Sequence, residues 1–453
     1  MSFIRKVKVG EKIYLSEVEN TRINGKVKQK FIRYIGREMN GKPIRKVEVN
    51  NIKIENVKRS LDVLAIDKIA EELKLKELQN KFILALVYSH LLEKRSINKL
   101  EEWIRFTEIP GILGLNEISI KQLYESLSDI NEESFEKINN NLQEVFEKYP
   151  DGKDAAVIDI TDTYFESSKL KIKRRKGKDG KIRKLVQIGL AATFKNGFPI
   201  LHKQYHGNLS GISILKDMVL EMKSRRLNTI IIDRGMMSPE NKRAVTDLNL
   251  TMISGLRKNE KLIKNYIKKI NREDIYTLKN RIKLMNTEVF IKKFKYDNGE
   301  LIVVYNPSLE VVKKQMNFNK DLDSHQDIGY SLIYHNTNYS SVEVVKRYYE
   351  KEIIERAFKQ IKGILNLRPI RVWLKDHVEG HIKICYLAYA ILSLMNYKLK
   401  IKGFSAIEAL ESLKYGYKVK LKDSKTKFEW DLVVPLNPKQ KEILKALGVV
   451  MKN

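Results

Sequence analysis

Two short apolar runs, each leading into an aspartate, set the strongest limit on how this chain can fold. Ala155-Ala156-Val157-Ile158 precedes Asp159, and Ile230-Ile231-Ile232 precedes Asp233. Unbroken apolar runs of this length predict strands covered on both faces. A carboxylate within or at the end of such a strand is unfavourable unless something compensates it. Taken singly, either aspartate could be a structural residue capping a loop. Glu355 alters the weighing. It lies in the stretch Tyr348–Lys362, which predicts a helix. At about 100° per residue, Tyr348, Lys351, Glu355 and Lys362 then fall within roughly 60° of one another. Ile354, Phe358, Ile361 and Leu365 form the adjacent apolar stripe. Alone, this is a solvated helix face laced with Glu/Lys pairs. With two strand-end aspartates upstream in a basic chain, binding of divalent metal by three carboxylates is the better account.

The segments around these residues predict an α/β architecture. Tyr149-Pro150-Asp151-Gly152 marks a boundary. Beyond it come a strand over 155–160, a hairpin over 185–194 and 198–205 across Asn196-Gly197, and a helix over about 213–225. A strand over 229–232 follows, then a helix opened by Ser238-Pro239-Glu240, and a strand over 251–256. Three strands, helix, strand, helix, strand resembles a ribonuclease-H-like mixed-sheet core. Residues from about 258 to 335 predict a strand-rich insertion into it. A long helix begins near Ser340, where Ser340 and Glu343 have capping-box spacing, and ends before Pro369. A second helix, from about Lys375 to Leu399, covers the core. The expected organisation is a β-rich segment over 1–55 with turn signals at Asn24-Gly25 and Asn40-Gly41, an α-helical module over 56–150, a catalytic domain over 151–400 and a tail over 401–453.

Composition narrows the partner. The chain has 43% hydrophobic and 31% charged residues, as a globular protein does. Its 86 Lys+Arg against 56 Asp+Glu give a formal net charge of +30, beyond what solubility requires. Genomic base composition can contribute to the lysine and isoleucine richness, but a polyanion is the simplest partner, and nucleic acid outranks a membrane. Met1–Asn20 lacks the apolar run of a signal peptide, and Ile384–Tyr397 is too short to span a bilayer. The expectation is a cytoplasmic, nucleoid-associated protein. The single cysteine, Cys385, sits in that apolar run and is expected to be a core residue, with no disulfide and no cysteine-based metal site.

Three carboxylates suffice for magnesium or manganese, which keep several waters and need few protein ligands. A metal pair about 3.5–4 Å apart can activate a water or a DNA 3′-hydroxyl against a phosphodiester. Lys351 and Lys362 could then hold phosphates beside Glu355, with Tyr348 contacting the backbone or stacking on a base. Lys173, Arg174, Arg175 and Lys176 belong to a basic run over 171–184 between the first two core strands. A solvated hairpin tip would explain the run; its nearness to the Asp159 strand favours phosphate contact and salt-dependent binding.

The spacing Tyr348, two residues, Lys351, three residues, Glu355, six residues, Lys362 resembles the Tyr-Arg-Glu-Lys signature of insertion-sequence DDE transposases. Asp159-Ile160-Thr161, Gln187-Ile188-Gly189-Leu190-Ala191, His206-Gly207-Asn208, Asp233-Arg234-Gly235-Met236, Ile354-Glu355-Arg356-Ala357-Phe358 and Arg368-Pro369 are similar to that family in order and spacing. The one departure in the signature is Lys351 where arginine is usual, which keeps the charge and loses the bidentate grip. The resemblance implies a ribonuclease-H-like fold with Asp159, Asp233 and Glu355 as catalytic and metal-binding triad. It further implies cleavage at transposon ends, strand transfer into target double-stranded DNA, and a homodimer in the synaptic complex. The helical module would recognise the terminal repeats. A transposase-derived DNA-binding protein that no longer cuts, and a nuclease of the same fold, are the alternatives.

Several competing signals carry less. Asp162 competes with Asp159, but three residues along a strand it points to the other face. Asp159-Ile160-Thr161-Asp162-Thr163 has its second aspartate one residue too late for an aspartyl-phosphatase motif. In His377-Val378-Glu379-Gly380-His381, Glu379 is on the wrong side of a helix to serve as base beside a His-bound metal. His202 and His206 share a four-residue spacing on a strand with no third ligand in view.

Overall fold

The apolar runs before Asp159 and Asp233 pair as neighbouring parallel strands, with Ile158 opposite Ile232. The structure is a computed structural model. It describes the chain except residues 1, 24–25, 40–41, 45–48, 94, 151–154, 165–173, 177–179, 207–208, 225–226, 285–286, 317–326, 366, 368–369 and 451–453, and except the side chains of 23, 26, 39, 42–44, 175, 206, 223–224 and 364. Two compact units emerge, Met1–Lys58 with Tyr417–Pro435, and Arg59–Gly416 with Leu436–Asn453.

In the first unit, β1 (Ser2–Val9), β2 (Lys12–Ile23), β3 (Lys26–Met39) and β4 (Lys42–Ile44) form an antiparallel sheet in chain order. β2 and β3 run to 12 and 14 residues. Ladder hydrogen bonds sustain them past the points where their sequence alternation falters, with irregularities between Leu15 and Ser16 and between Glu17 and Val18. The register pairs Ile23 with Lys26 and Met39 with Lys42, bracketing Asn24-Gly25 and Asn40-Gly41, which lie outside the described residues. A second sheet joins β5 (Ile52–Arg59) to Tyr417–Asp423 and Glu429–Val433. The expected tail is therefore shared between the two units.

The second unit opens with α1 (Leu61–Glu72), α2 (Lys81–Leu92), α3 (Leu100–Arg105), α4 (Ile109–Leu113), α5 (Ile120–Ser128) and α6 (Glu132–Phe146). Then follow β6 (Ala156–Tyr164), β7 (Arg174–Lys176), β8 (Ile182–Thr193), β9 (Pro199–His206), α7 (Gly211–Ser224), β10 (Thr229–Ile232), α8 (Pro239–Asp247) and β11 (Thr251–Leu256). Strand order runs β9-β8-β6-β10-β11; β10 is parallel to both neighbours, and β8 is antiparallel to β6 and β9. Gly197, at φ +68°, makes the β8–β9 turn that the Asn-Gly pair predicts. Ser238 caps α8 by accepting from the Asn241 N–H, with Pro239 in the first turn.

The four residues of β10 are all buried, which explains its unbroken apolar sequence; each isoleucine removes enough surface from water to contribute about 2–3 kcal/mol. On one face, Ile158, Ile160, Ile230 and Ile232 pack with Ile214, Met218 and Met222 of α7 and Val245 of α8. Gly189, opposite Ile160 on β8, permits this approach: a Cβ there would collide with Met218.

The segment expected as a strand-rich insertion lengthens the same sheet. It contains α9 (Glu260–Leu262), α10 (Arg272–Ile275), β12 (Arg281–Lys283), β13 (Glu288–Tyr296), β14 (Gly299–Tyr305), α11 (Pro307–Met316) and β15 (Tyr330–His335). β15 pairs with β11, and β14, β13 and β12 follow outward, giving ten strands with β7 on β8. The free edge of β11 leaves a row of unpaired backbone groups, which β15 satisfies.

Beyond it the long helix expected from Ser340 is broken into α12 (Ser341–Tyr349) and α13 (Glu352–Lys359), followed by a π-helical turn over Gln360–Ile364. Ser340 does cap α12, accepting from the Glu343 N–H, while the Glu343 carboxylate is drawn instead to Arg347. Finally α14 (Lys375–Lys400) is long and apolar enough to cross a membrane, yet 94% of its most apolar window is buried inside the protein. It packs against α2 and α5 of the helical segment as well as β9.

Candidate active site

Side-chain alternation along β6 decides which way its aspartates face. Ile158 and Ile160 join the core cluster with α7, so Asp159, Thr161 and Thr163 point to the opposite face and Asp162 shares the side of the isoleucines. That opposite face is where α13 packs, over β6 and β8. Ile354, Phe358, Ile361 and Leu365 are buried as the apolar stripe predicts, and Glu355 is exposed in the first turn of α13, where the helix dipole favours an anion. The segment after α13 is tied down along β6. Lys362 Nζ donates to the Thr161 hydroxyl, the Thr163 hydroxyl donates to the Leu367 carbonyl at 3.0 Å, and the Ile370 N–H donates to the Tyr164 carbonyl at 2.9 Å.

Asp233 lies one residue past the end of β10, half exposed. Lys351 Nζ donates to its Oδ1 at 2.5 Å, and the Tyr348 hydroxyl approaches the same oxygen at 3.5 Å. Burial works to raise the Asp233 pKa, but the hydrogen bond and charge of Lys351, helped by Arg234, outweigh it and hold the carboxyl below its ordinary range. Burial, followed by the charge of Asp233, pushes the Tyr348 phenol up, so it remains a donor. Lys351 Nζ also stands 4.6 Å from the centre of the Tyr348 ring. Asp159 Oδ1 accepts from the Ile160 N–H at 2.7 Å.

The break between α12 and α13 means that the angular argument from a single uninterrupted helix does not hold. Ile354 N donates to the Lys351 carbonyl, a tight turn that carries Lys351 toward Asp233. Thus Tyr348 and Lys351 converge on Asp233, Lys362 is anchored beside the Asp159 strand, and Glu355 lies between these two attachments. Of the basic run, Arg174 and Lys176 are exposed on β7, which pairs with the start of β8; Lys173 and the side chain of Arg175 lie outside the described residues, as do Gly207, Asn208, Arg368, Pro369 and the side chain of His206.

The order of two strand-end aspartates and a helix-borne glutamate coincides with a family match. The family described as "Transposase DDE domain" matches residues 150–391, more than half of the chain. The chain belongs to the DDE transposase family. The domain so defined contains Asp159, Asp233 and Glu355, together with Tyr348, Lys351 and Lys362. No curated protein matches the sequence. Among solved structures, a cryo-EM structure of a piggyBac transposase synaptic complex with hairpin DNA is similar at 12% identity over 78% of this chain and 76% of that chain. Its TM-score of 0.43 is too low to carry fold or function.

Two contributors to the candidate site, Thr161 and Gly255, had no role assigned from the sequence. Thr161 receives Lys362. Gly255, near the end of β11, leaves the space occupied by the Tyr348 hydroxyl, where a Cβ would collide. An isolated glycine inside a strand is the signal that marks such a close approach.

Proposed function

We propose that this transposase cleaves DNA at the ends of its element and joins the freed 3′-hydroxyl to target DNA, with Asp159, Asp233 and Glu355 as its catalytic and metal-holding residues. The observation that carries this reading is the parallel pairing of β6 with β10, which brings two aspartates to one sheet level, together with the contacts of Tyr348 and Lys351, from the Glu355 segment, with Asp233. The strand order β9-β8-β6-β10-β11, with its central parallel pair, supports a ribonuclease-H-like arrangement of the core.

The carboxylates suit a hard divalent cation: the donors are oxygens, and Asp233 is half exposed and held ionised. Asp159, Asp233 and Glu355 would hold magnesium or manganese, which when bound supplies charge stabilisation to the attacking and leaving oxygens of the phosphodiester. Lys351, which pairs with Asp233, would turn to a DNA phosphate once a cation neutralises that carboxylate. Tyr348 keeps its proton and donates to whichever oxygen Lys351 vacates. Lys362 fixes the end of the glutamate segment on the Asp159 strand. The helical segment over 56–150 serves recognition of terminal repeats, two copies form the synaptic complex, and the protein works in the cytoplasm on nucleoid DNA.

The deciding experiment uses labelled DNA carrying the ends of the flanking element, with and without magnesium or manganese. Nicking at the ends plus joined products supports the proposal. Tight binding without cleavage under either metal would replace it with a DNA-binding relic, and cleavage without joining with a nuclease. In the same assay Gly255→Ala, which drives the Tyr348 hydroxyl away from Asp233, is expected to slow single-turnover cleavage by about tenfold. An unchanged rate would remove Tyr348 from the site.

Binding should also depend steeply on salt. If the β7–β8 hairpin grips backbone phosphates, replacing both Arg174 and Lys176 by alanine lowers the slope of log affinity against log salt by about two, measured by fluorescence anisotropy. An unchanged slope would leave the hairpin a solvated tip.

A further inference from the structure

Away from the carboxylates, His90 near the end of α2 meets His381 and Cys385, one turn apart on α14. Their donor atoms all lie within 4.8 Å of one another, and all three residues are at least nine-tenths buried. His381 Nε2 is 3.9 Å from Cys385 Sγ, and the two imidazole rings are 5.3 Å apart. His90 Nδ1 is 2.9 Å from the Leu86 carbonyl, which fixes the tautomer with a proton on Nδ1 and leaves Nε2 with its lone pair. A metal-bound histidine is commonly oriented in this way, with one ring nitrogen donating to a backbone carbonyl and the other turned to the metal. His381 and Cys385 share a four-residue spacing on α14, and only the packing of α2 adds His90 to them.

We propose that His90, His381 and Cys385 form a zinc site that clamps the helical segment to the core helix. Two imidazoles and one thiolate are ligands that zinc takes in tetrahedral geometry, with a water completing the fourth position. Loading releases the Cys385 thiol proton to solvent as the sulfur–zinc bond forms. The thiol now donates to the Leu365 carbonyl at 3.3 Å, at the end of the π turn that follows the Glu355 helix. Zinc therefore exchanges that hydrogen bond for a fixed link between α2 and α14. The ligand set contains sulfur and nitrogen only, so this site is chemically separate from the carboxylates and independent of their role.

The chain has one cysteine, so any thiolate–metal signal reports this site alone. Full-length protein dialysed against zinc-free buffer is expected to retain about one zinc per chain by mass spectrometry of the metal, held by three buried ligands from two packed helices. Replacement by cobalt(II) should give a sulfur-to-cobalt charge-transfer band and tetrahedral visible bands. Cys385→Ser should abolish the charge-transfer band, and His90→Gln should lower zinc affinity by about a hundredfold or more. Circular dichroism confirms that each variant is folded; if Cys385→Ser is not, the wild-type cobalt spectrum decides. Folded wild type with neither bound zinc nor a cobalt–thiolate band would overturn the proposal.

Discussion

Asp233→Asn protein is expected to lose metal-dependent strand cleavage by on the order of a thousandfold or more while binding end DNA as the wild type does. The substitution keeps the shape of the side chain and removes the charge that pairs with Lys351 and that the proposed metal ion would need. Asp159→Asn and Glu355→Gln should behave alike, because residues that act as a unit fail together rather than additively. Single-turnover cleavage measures the loss, and a band-shift titration measures the retained binding. Asp162→Asn supplies the internal control. Its carboxylate is on the isoleucine side of β6, so it should cleave within about twofold of wild type. If Asp162→Asn were inactive and Asp159→Asn active, the assignment of the first carboxylate would be wrong.

Gly380→Ala has the largest expected effect on stability, and its sign is diagnostic. In a helix interior this change ordinarily stabilises by nearly 1 kcal/mol. Here α14 crosses α5 so closely that a Cβ at Gly380 would collide with the Leu127 carbonyl and lie 2.9 Å from its Cα. Backbone cannot swing aside as a flexible side chain can. Overpacking of this kind costs about 1–3 kcal/mol and sometimes more, lowering the melting temperature by roughly 5 °C. Thermal unfolding followed by circular dichroism checks it, and a raised melting temperature would show that the helices do not cross there.

The parts of the site legible in the sequence were those fixed by local pattern. Apolar runs before Asp159 and Asp233 reported strands because only strands covered on both faces carry such sequences. The stripe Ile354, Phe358, Ile361 and Leu365 reported the buried side of the Glu355 helix, since periodicity records a face. It does not record a partner, and it tolerates a break. The interruption at Glu350-Lys351 leaves no trace in hydrophobic spacing, because a tight turn keeps the apolar residues on nearly the same side. Strand pairing was harder still. That β15 joins β11, or that Tyr417–Asp423 joins β5, depends on contacts across long stretches of chain for which alternation carries no address. The cluster of His90, His381 and Cys385 was hidden for the same reason, since His90 reaches the pair on α14 only through helix packing.

The long intervals between Asp159, Asp233 and Glu355 also matter while the protein is being made. A ribosome adds about 5–20 residues per second, so roughly ten seconds separate the emergence of the second aspartate from that of the glutamate. During that interval the nascent chain carries most of its basic residues and two of the three proposed acids, but lacks the segment that holds Glu355, Tyr348 and Lys351. On the proposed reading, a truncated translation product can cling to DNA and cannot cut it, so interrupted synthesis yields a competitor of the enzyme rather than a stray nuclease.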